Sequence, residues 1–143
     1  MPQINPVWKE KFFIGTAKSG DTWTYSPLCA GIQGLAPSVN ETTQTYYFLC
    51  GNGGADNVVT TIAPQYAVTG RRVIGDTAQD YIVGKQFAVG PDRNSSIKIT
   101  AEGKVITCDC SIGDVVSFGG GTLDVNAFSC TIRFNGKPTE TTT

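Results

Sequence analysis

The chain has 143 residues, a length that suits one domain and lets it bury about two thirds of its unfolded surface. Charged residues make up only 16% against a typical ~25%, the formal net charge is -1, and there is no histidine. This balance lacks the basic footprint of a nucleic-acid-binding module, and the missing histidine removes Ser-His-Asp and Cys-His catalysis, His-ligated zinc and histidine pH switches together.

Residues 1–7 read as an N-terminal arm. They lack the basic start and apolar run of a secretory signal, and no apolar stretch in the chain is long enough to span a membrane. The expectation is a chain made and kept in the cytosol, or exported without a signal. Lys9–Thr16, with Phe12-Phe13-Ile14, reads as a strand. Ser19-Gly20-Asp21 turns it into a second strand, Thr22–Tyr25, with Trp23 and Tyr25 on one face.

From Pro37 to Pro64 two β-prone runs flank Gly51-Asn-Gly-Gly54, which reads as a long hairpin. Its arms hold Tyr46-Tyr47-Phe48 and Val58 to Ile62, more apolar surface than a solvated connection needs. On a solitary subunit this is an aggregation hazard, so the arms are expected to pack on another copy through Tyr46, Tyr47, Phe48, Val58 and Ile62.

Gln65–Ile74 reads as a further strand. One short helix is predicted over Thr77–Val83, with Asp76 as N-cap, Asp80 near the positive end of the dipole, and Ala78, Tyr81 and Ile82 facing inward. The last part alternates with period two. Ile97, Ile99 and Ala101 share one face, as do Ile106, Cys108, Cys110 and Ile112, and then Phe128, Cys130, Ile132 and Phe134 after a break at Gly119-Gly120-Gly121. Such alternation marks half-buried antiparallel strands. The fold class read from this pattern is mainly β, an antiparallel β-sandwich with one short flanking helix and a long protruding hairpin. The chain forms a single domain over 1–143, with a flexible tail at 138–143.

Chemistry is sparse. Cys29, Cys50, Cys108, Cys110 and Cys130 are odd in number and irregular in spacing, and three of them fall on faces that their neighbours mark as apolar. They read as reduced core thiols rather than a metal or redox site. Gly51–Gly54 lacks the Lys-Ser/Thr and helix of a phosphate loop, and Pro91–Asn94 lacks the acidic ligands of a calcium loop. No catalytic, metal or cofactor residues are assigned.

Tyr46-Tyr-Phe-Leu49, the glycine-rich turn, and Val68-Thr-Gly-Arg-Arg-Val-Ile-Gly-Asp-Thr-Ala-Gln-Asp-Tyr-Ile82 resemble the major tail tube proteins of long-tailed bacteriophages of Gram-positive hosts. The central run is similar to that family's Gly-Lys/Arg-Arg-Val-x-Gly-Asp-Pro-Ala-Gln-Asp-Tyr-Ile pattern, with Thr77 where Pro is usual. Phe134-Asn-Gly-Lys-Pro138 resembles its closing strand, so the likeness runs from about Lys9 to Pro138. The resemblance implies a non-enzymatic virion protein assembled in the host cytoplasm. Its copies form hexameric rings, join strands around a DNA channel, and stack through the 37–64 hairpin. Tape measure, tail terminator and distal tail proteins are the implied partners, with no membrane. A channel that must not bind its cargo needs a wall of low or mildly acidic charge. Thr107, Asp109, Ser111, Ser129 and Thr131 are the candidate lumen face, although Arg133 shares it. The alternative is a small β-sandwich binding or capsid-decoration module, for which Trp23 and Tyr25 would line a groove.

Overall fold

The computed structural model describes residues 4–119, 121–123 and 125–142, so Gly120 of the expected glycine break lies outside the described residues. The strands are β1 (Lys11–Ser19), β2 (Thr22–Pro27), β3 (Ile32–Ser38), β4 (Thr42–Tyr47), β5 (Ala55–Thr61), β6 (Gln65–Arg71), β7 (Asn94–Ala101), β8 (Lys104–Val116), β9 (Ala127–Phe134) and β10 (Thr139–Thr142). The helix α1 spans Thr77–Gly84.

Eight strands form one antiparallel sheet in the order β2-β1-β7-β8-β9-β6-β3, with β10 added against β8. Among the described residues β4 and β5 pair only with each other. The long strand β8 joins two halves of the fold. Along one edge β7 pairs with Lys104–Ser111; along the other, β10 pairs with Lys104–Thr107 and β9 takes over from Cys110. The sheet curls so that its ends face one another: the Phe12 ring of β1 meets the Tyr66 ring of β6 edge-on at 5.1 Å.

The period-two faces fill the space enclosed. Ile97, Ile99, Cys108, Cys110, Ile112, Phe128, Cys130 and Ile132 are buried together with Phe12, Ile14 and Val68. Each fully buried large apolar side chain contributes about 1.5–3 kcal/mol. α1 lies against β1, β2 and β8 and closes the core with Ala78 and Ile82, while Tyr81 is only partly buried. Among the described residues every buried side-chain nitrogen or oxygen has a hydrogen-bond partner.

Two sequence expectations are corrected, and one strand, β3, was not predicted. The strand expected over Gln65–Ile74 ends at Arg71, because residues 72–75 turn into α1. The residues expected as a flexible tail form β10: Thr139 to Thr142 pair with Thr107 to Lys104, and Lys104 Nζ lies 2.9 Å from Glu140 Oε1. β3, which lacks clean alternation, extends the sheet beyond β6 with a register shift between Ile32 and Gly34.

Candidate assembly interface

The expected lumen residues lie on one surface. Side chains alternate along β8 and β9, so Thr107, Asp109, Ser111, Ser129 and Thr131 occupy the face opposite Cys108, Cys110, Cys130 and Ile132. The register extends that face sideways, with Lys98 beside Thr107, Ser96 beside Asp109, and Arg133 beside Ser111. Ser111 Oγ donates to Asn94 Oδ1 at 2.8 Å. Arg133 is accommodated by a device not legible in the sequence. Asp114 sits in the left-handed region (φ 51°) of a bulge in β8, and its Oδ2 accepts from Arg133 Nη2 at 2.8 Å. Lys98 lies over the rings of Phe13 and Tyr25. The face is therefore of mixed charge rather than acidic, with Arg133 paired to Asp114 and Lys98 held over two aromatic rings.

The hairpin is exposed throughout, and every residue from 36 to 63 faces solvent. Pairing of Tyr46 with Asp56 and of Gln44 with Val58 puts Tyr46 and Val58 on one face. Phe48 joins them, stacked on Tyr46 at 5.9 Å. Tyr47 falls on the opposite face with Val59, through the pairs Tyr47–Ala55 and Thr43–Val59. Ile62 lies beyond the paired arms at the base, beside Phe134 and Lys137. The five expected contact residues thus do not form one stripe; the arm is apolar on both sides. The 3-10 turn Leu49–Gly51 and left-handed Asn52 (φ 50°) close its tip, leaving Leu49 fully exposed.

In the run from Gly70 to Ile82, Gly70, Arg71, Arg72, Asp76, Gln79 and Asp80 each have a structural task. Arg71 N–H donates to Gly31 O at 2.8 Å, and a Cβ on Gly70 would collide with that same carbonyl. Asp76 caps α1 by accepting from Gln79 N–H at 3.2 Å. Arg72 Nη2 reaches Asp80 Oδ1 at 2.6 Å, and this hydrogen bond holds the Asp80 carboxyl below the usual range. Gln79 was not singled out by its sequence, yet it is fully buried. Its Nε2 donates to Ala30 O (2.7 Å) and Arg71 O (3.0 Å), and its Oε1 accepts from Val73 N–H (2.8 Å). The Asp76-x-x-Gln79 spacing of a capping box was the available signal, but Gln79 turns away from the helix start to tie β6, the Ala30 turn and α1 together.

Burial pushes the Cys110 and Cys130 thiols up to about 12, and Cys108 is raised as well, so these are poor nucleophiles. Trp23 and Tyr25 are engaged within the subunit: Tyr25 Oη pairs with Ser96 Oγ at 2.9 Å, and the Trp23 ring lies against Gly15. A groove of about 500 Å³ lies elsewhere, between the ends of the curled sheet, lined by Trp8, Phe12, Leu28, Cys29, Ile32 and Leu35 among others.

No family model and no curated protein matches the sequence. Solved structures do match. A chain from the tail of an empty GTA particle with C6 symmetry superposes with a TM-score of 0.75 at 10% identity, over 96% of this chain and 99% of that one. A chain of the sheath-tube complex of an extracellular contractile injection system (PVC, extended state) gives 0.62 at 10% identity, over 96% and 91%. At such identities the likeness is one of fold, and it extends over nearly the whole chain. This protein shares its fold with a chain of that particle tail and with a chain of that sheath-tube complex.

Proposed function

We propose that this chain is the structural subunit of a bacteriophage tail tube. It assembles with copies of itself into hexameric rings, and the rings stack through the 37–64 hairpin around a channel for DNA. It acts in the virion tail of a long-tailed phage of a Gram-positive host, after assembly in the host cytoplasm. It has no catalytic role. Tape measure, terminator and distal tail proteins are its further partners.

The observation that carries this reading is the pairing of that fold with a hairpin that is apolar on both faces and, among the described residues, exposed from 36 to 63. Removing such an arm from water requires a neighbour. The open edges of the sheet, β2 and β3, give two strands that neighbouring copies can extend, which supports ring closure by edge-to-edge pairing. The Thr- and Ser-rich face of β8 and β9, with Arg133 paired to Asp114, supports a lumen wall that lets DNA pass without holding it. Electron microscopy of the purified protein tests the reading. Tubes or rings with sixfold end-on projections are expected; small solitary particles at every concentration would refute it.

A further inference from the structure

We infer that the end of the sandwich opposite the hairpin, carrying Ile74, Phe87, Val89 and Phe118, is the seat for the hairpin of a second copy. This rests on the reading of the chain as a self-assembling tube subunit and names the surface that receives the arm. The hairpin enters β6 at Gln65, level with Arg133, next to the hydrogen bond from Phe134 N–H to Pro64 O. The other end of the same strands is marked by Arg71, paired with Ala127, and by Ser117, just past β8. Seven residues of β6 separate the two ends, about 20 Å of strand.

The side chains at that end are presented rather than loose. The loop between α1 and β7 is held by Arg93, whose guanidinium donates to Gln86 O (2.6 Å), Ala88 O (2.7 Å) and Ile112 O (3.3 Å). Buried Ser117 Oγ adds a bond to Gln86 Oε1 at 3.1 Å. Between these anchors Phe87 is 88% exposed and Val89 80%. Ile74, 85% exposed, sits in the loop braced by Gln79 and Arg72, and Phe118 follows Ser117 directly. A firmly bonded loop that holds an aromatic ring out in water is a surface awaiting a partner.

The hairpin fits it in size and charge. Its unbroken exposed run, 36 to 63, matches the roughly 20–30 residues a side of a standard interface. It carries Glu41 and Asp56 and no cation. Among the described residues the receiving end carries four cations, Arg71, Arg72, Lys85 and Arg93, against three anions, Asp76, Asp80 and Asp92, a small positive excess that faces the anionic hairpin. A contact between opposite ends of identical subunits is heterologous and does not close on itself, so it propagates as a filament.

The test uses cysteine mapping on the full chain. Asp92→Cys places a thiol beside Phe87 and Val89 while leaving both in place, and the exposed native Cys50 marks the hairpin tip. Oxidation with copper phenanthroline should join Cys50 of one copy to position 92 of another, and mass spectrometry of the linked peptides reads the pair. A dominant Cys50–Cys29 link instead would overturn the inference and put the arm in the groove beside Leu28. A double variant, Phe87→Ser with Val89→Ser, should form rings without tubes. Tubes of normal length from that variant would overturn the seat but leave the tube reading standing, whereas wild-type protein that never assembles would overturn that reading itself.

Discussion

Arg72 spans the turn between β6 and α1 to reach the Asp80 carboxylate at 2.6 Å, and Gln79, beside Asp80, binds the backbone on the inner side of the same turn. One member of this device is exposed and ionic, the other buried and neutral, so they should respond differently to mutation and pH. Gln79→Ala strands the Val73 N–H and the Ala30 carbonyl, at about 1–3 kcal/mol for each unpaired buried group. Chemical denaturation should show a loss of about 3 kcal/mol. Asp80→Asn should cost far less, because Asp80 is solvent-screened. Its carboxyl is held below its ordinary value, so the contribution is complete above the usual aspartate range and disappears as pH falls through the lowered value. Wild type and Asp80→Asn should therefore converge in stability in acid.

Gly70 tests the close approach of β6 to the Gly31 turn. A methyl group there meets a backbone carbonyl and the Ile32 Cα, neither of which is the free end of a side chain. Gly70→Ala should destabilise by about 3 kcal/mol. Gly84→Ala, with open space around its Cβ position, should be neutral or slightly stabilising; thermal melts of the two variants check both outcomes.

The thiols should divide into two classes. Cys29 and Cys50 are exposed, whereas Cys108, Cys110 and Cys130 are buried with raised values. At pH 8 a thiol reagent such as DTNB should titrate two groups quickly in the native subunit and all five only after denaturation. Assembly should slow the reaction of Cys50.

The closing strand β10 should matter for local order more than for global stability. The Lys104–Glu140 hydrogen bond raises the Lys104 value, so its contribution is complete below the ordinary lysine range and is lost as pH rises through the raised one. Glu140→Gln should speed amide exchange along Lys104–Thr107 and leave the β8–β9 pairing protected.

The sequence was most informative where one face is apolar and the other wet. β7, β8 and β9 follow directly from alternation, and Asp76 from the preference for a short oxygen-bearing side chain at a helix start. β3 escaped notice because Gly34 sits at its register shift and Pro37 near its end, which disguises the period. β10 escaped because Thr-Glu-Thr-Thr has no apolar face; it is held by backbone pairing and one ion pair. The hairpin was legible as sticky, but its two-sidedness depends on which residue pairs with which. A polar residue such as Gln79 gives no hint of burial until its partners from distant elements are in place. Asp114 likewise shows its purpose only when the bulge brings it to Arg133.

In the proposed tube the hairpin joins one copy to the next. Thr42 and Thr61 are directly paired, so residues 43–60 can be replaced by an Asn-Gly turn without disturbing the sheet. Sedimentation velocity, with electron microscopy of the same samples, should find long tubes for the full chain. The shortened chain should show unchanged far-UV dichroism and thermal midpoint, and no particle larger than a single ring. Tubes from the shortened chain would contradict the account.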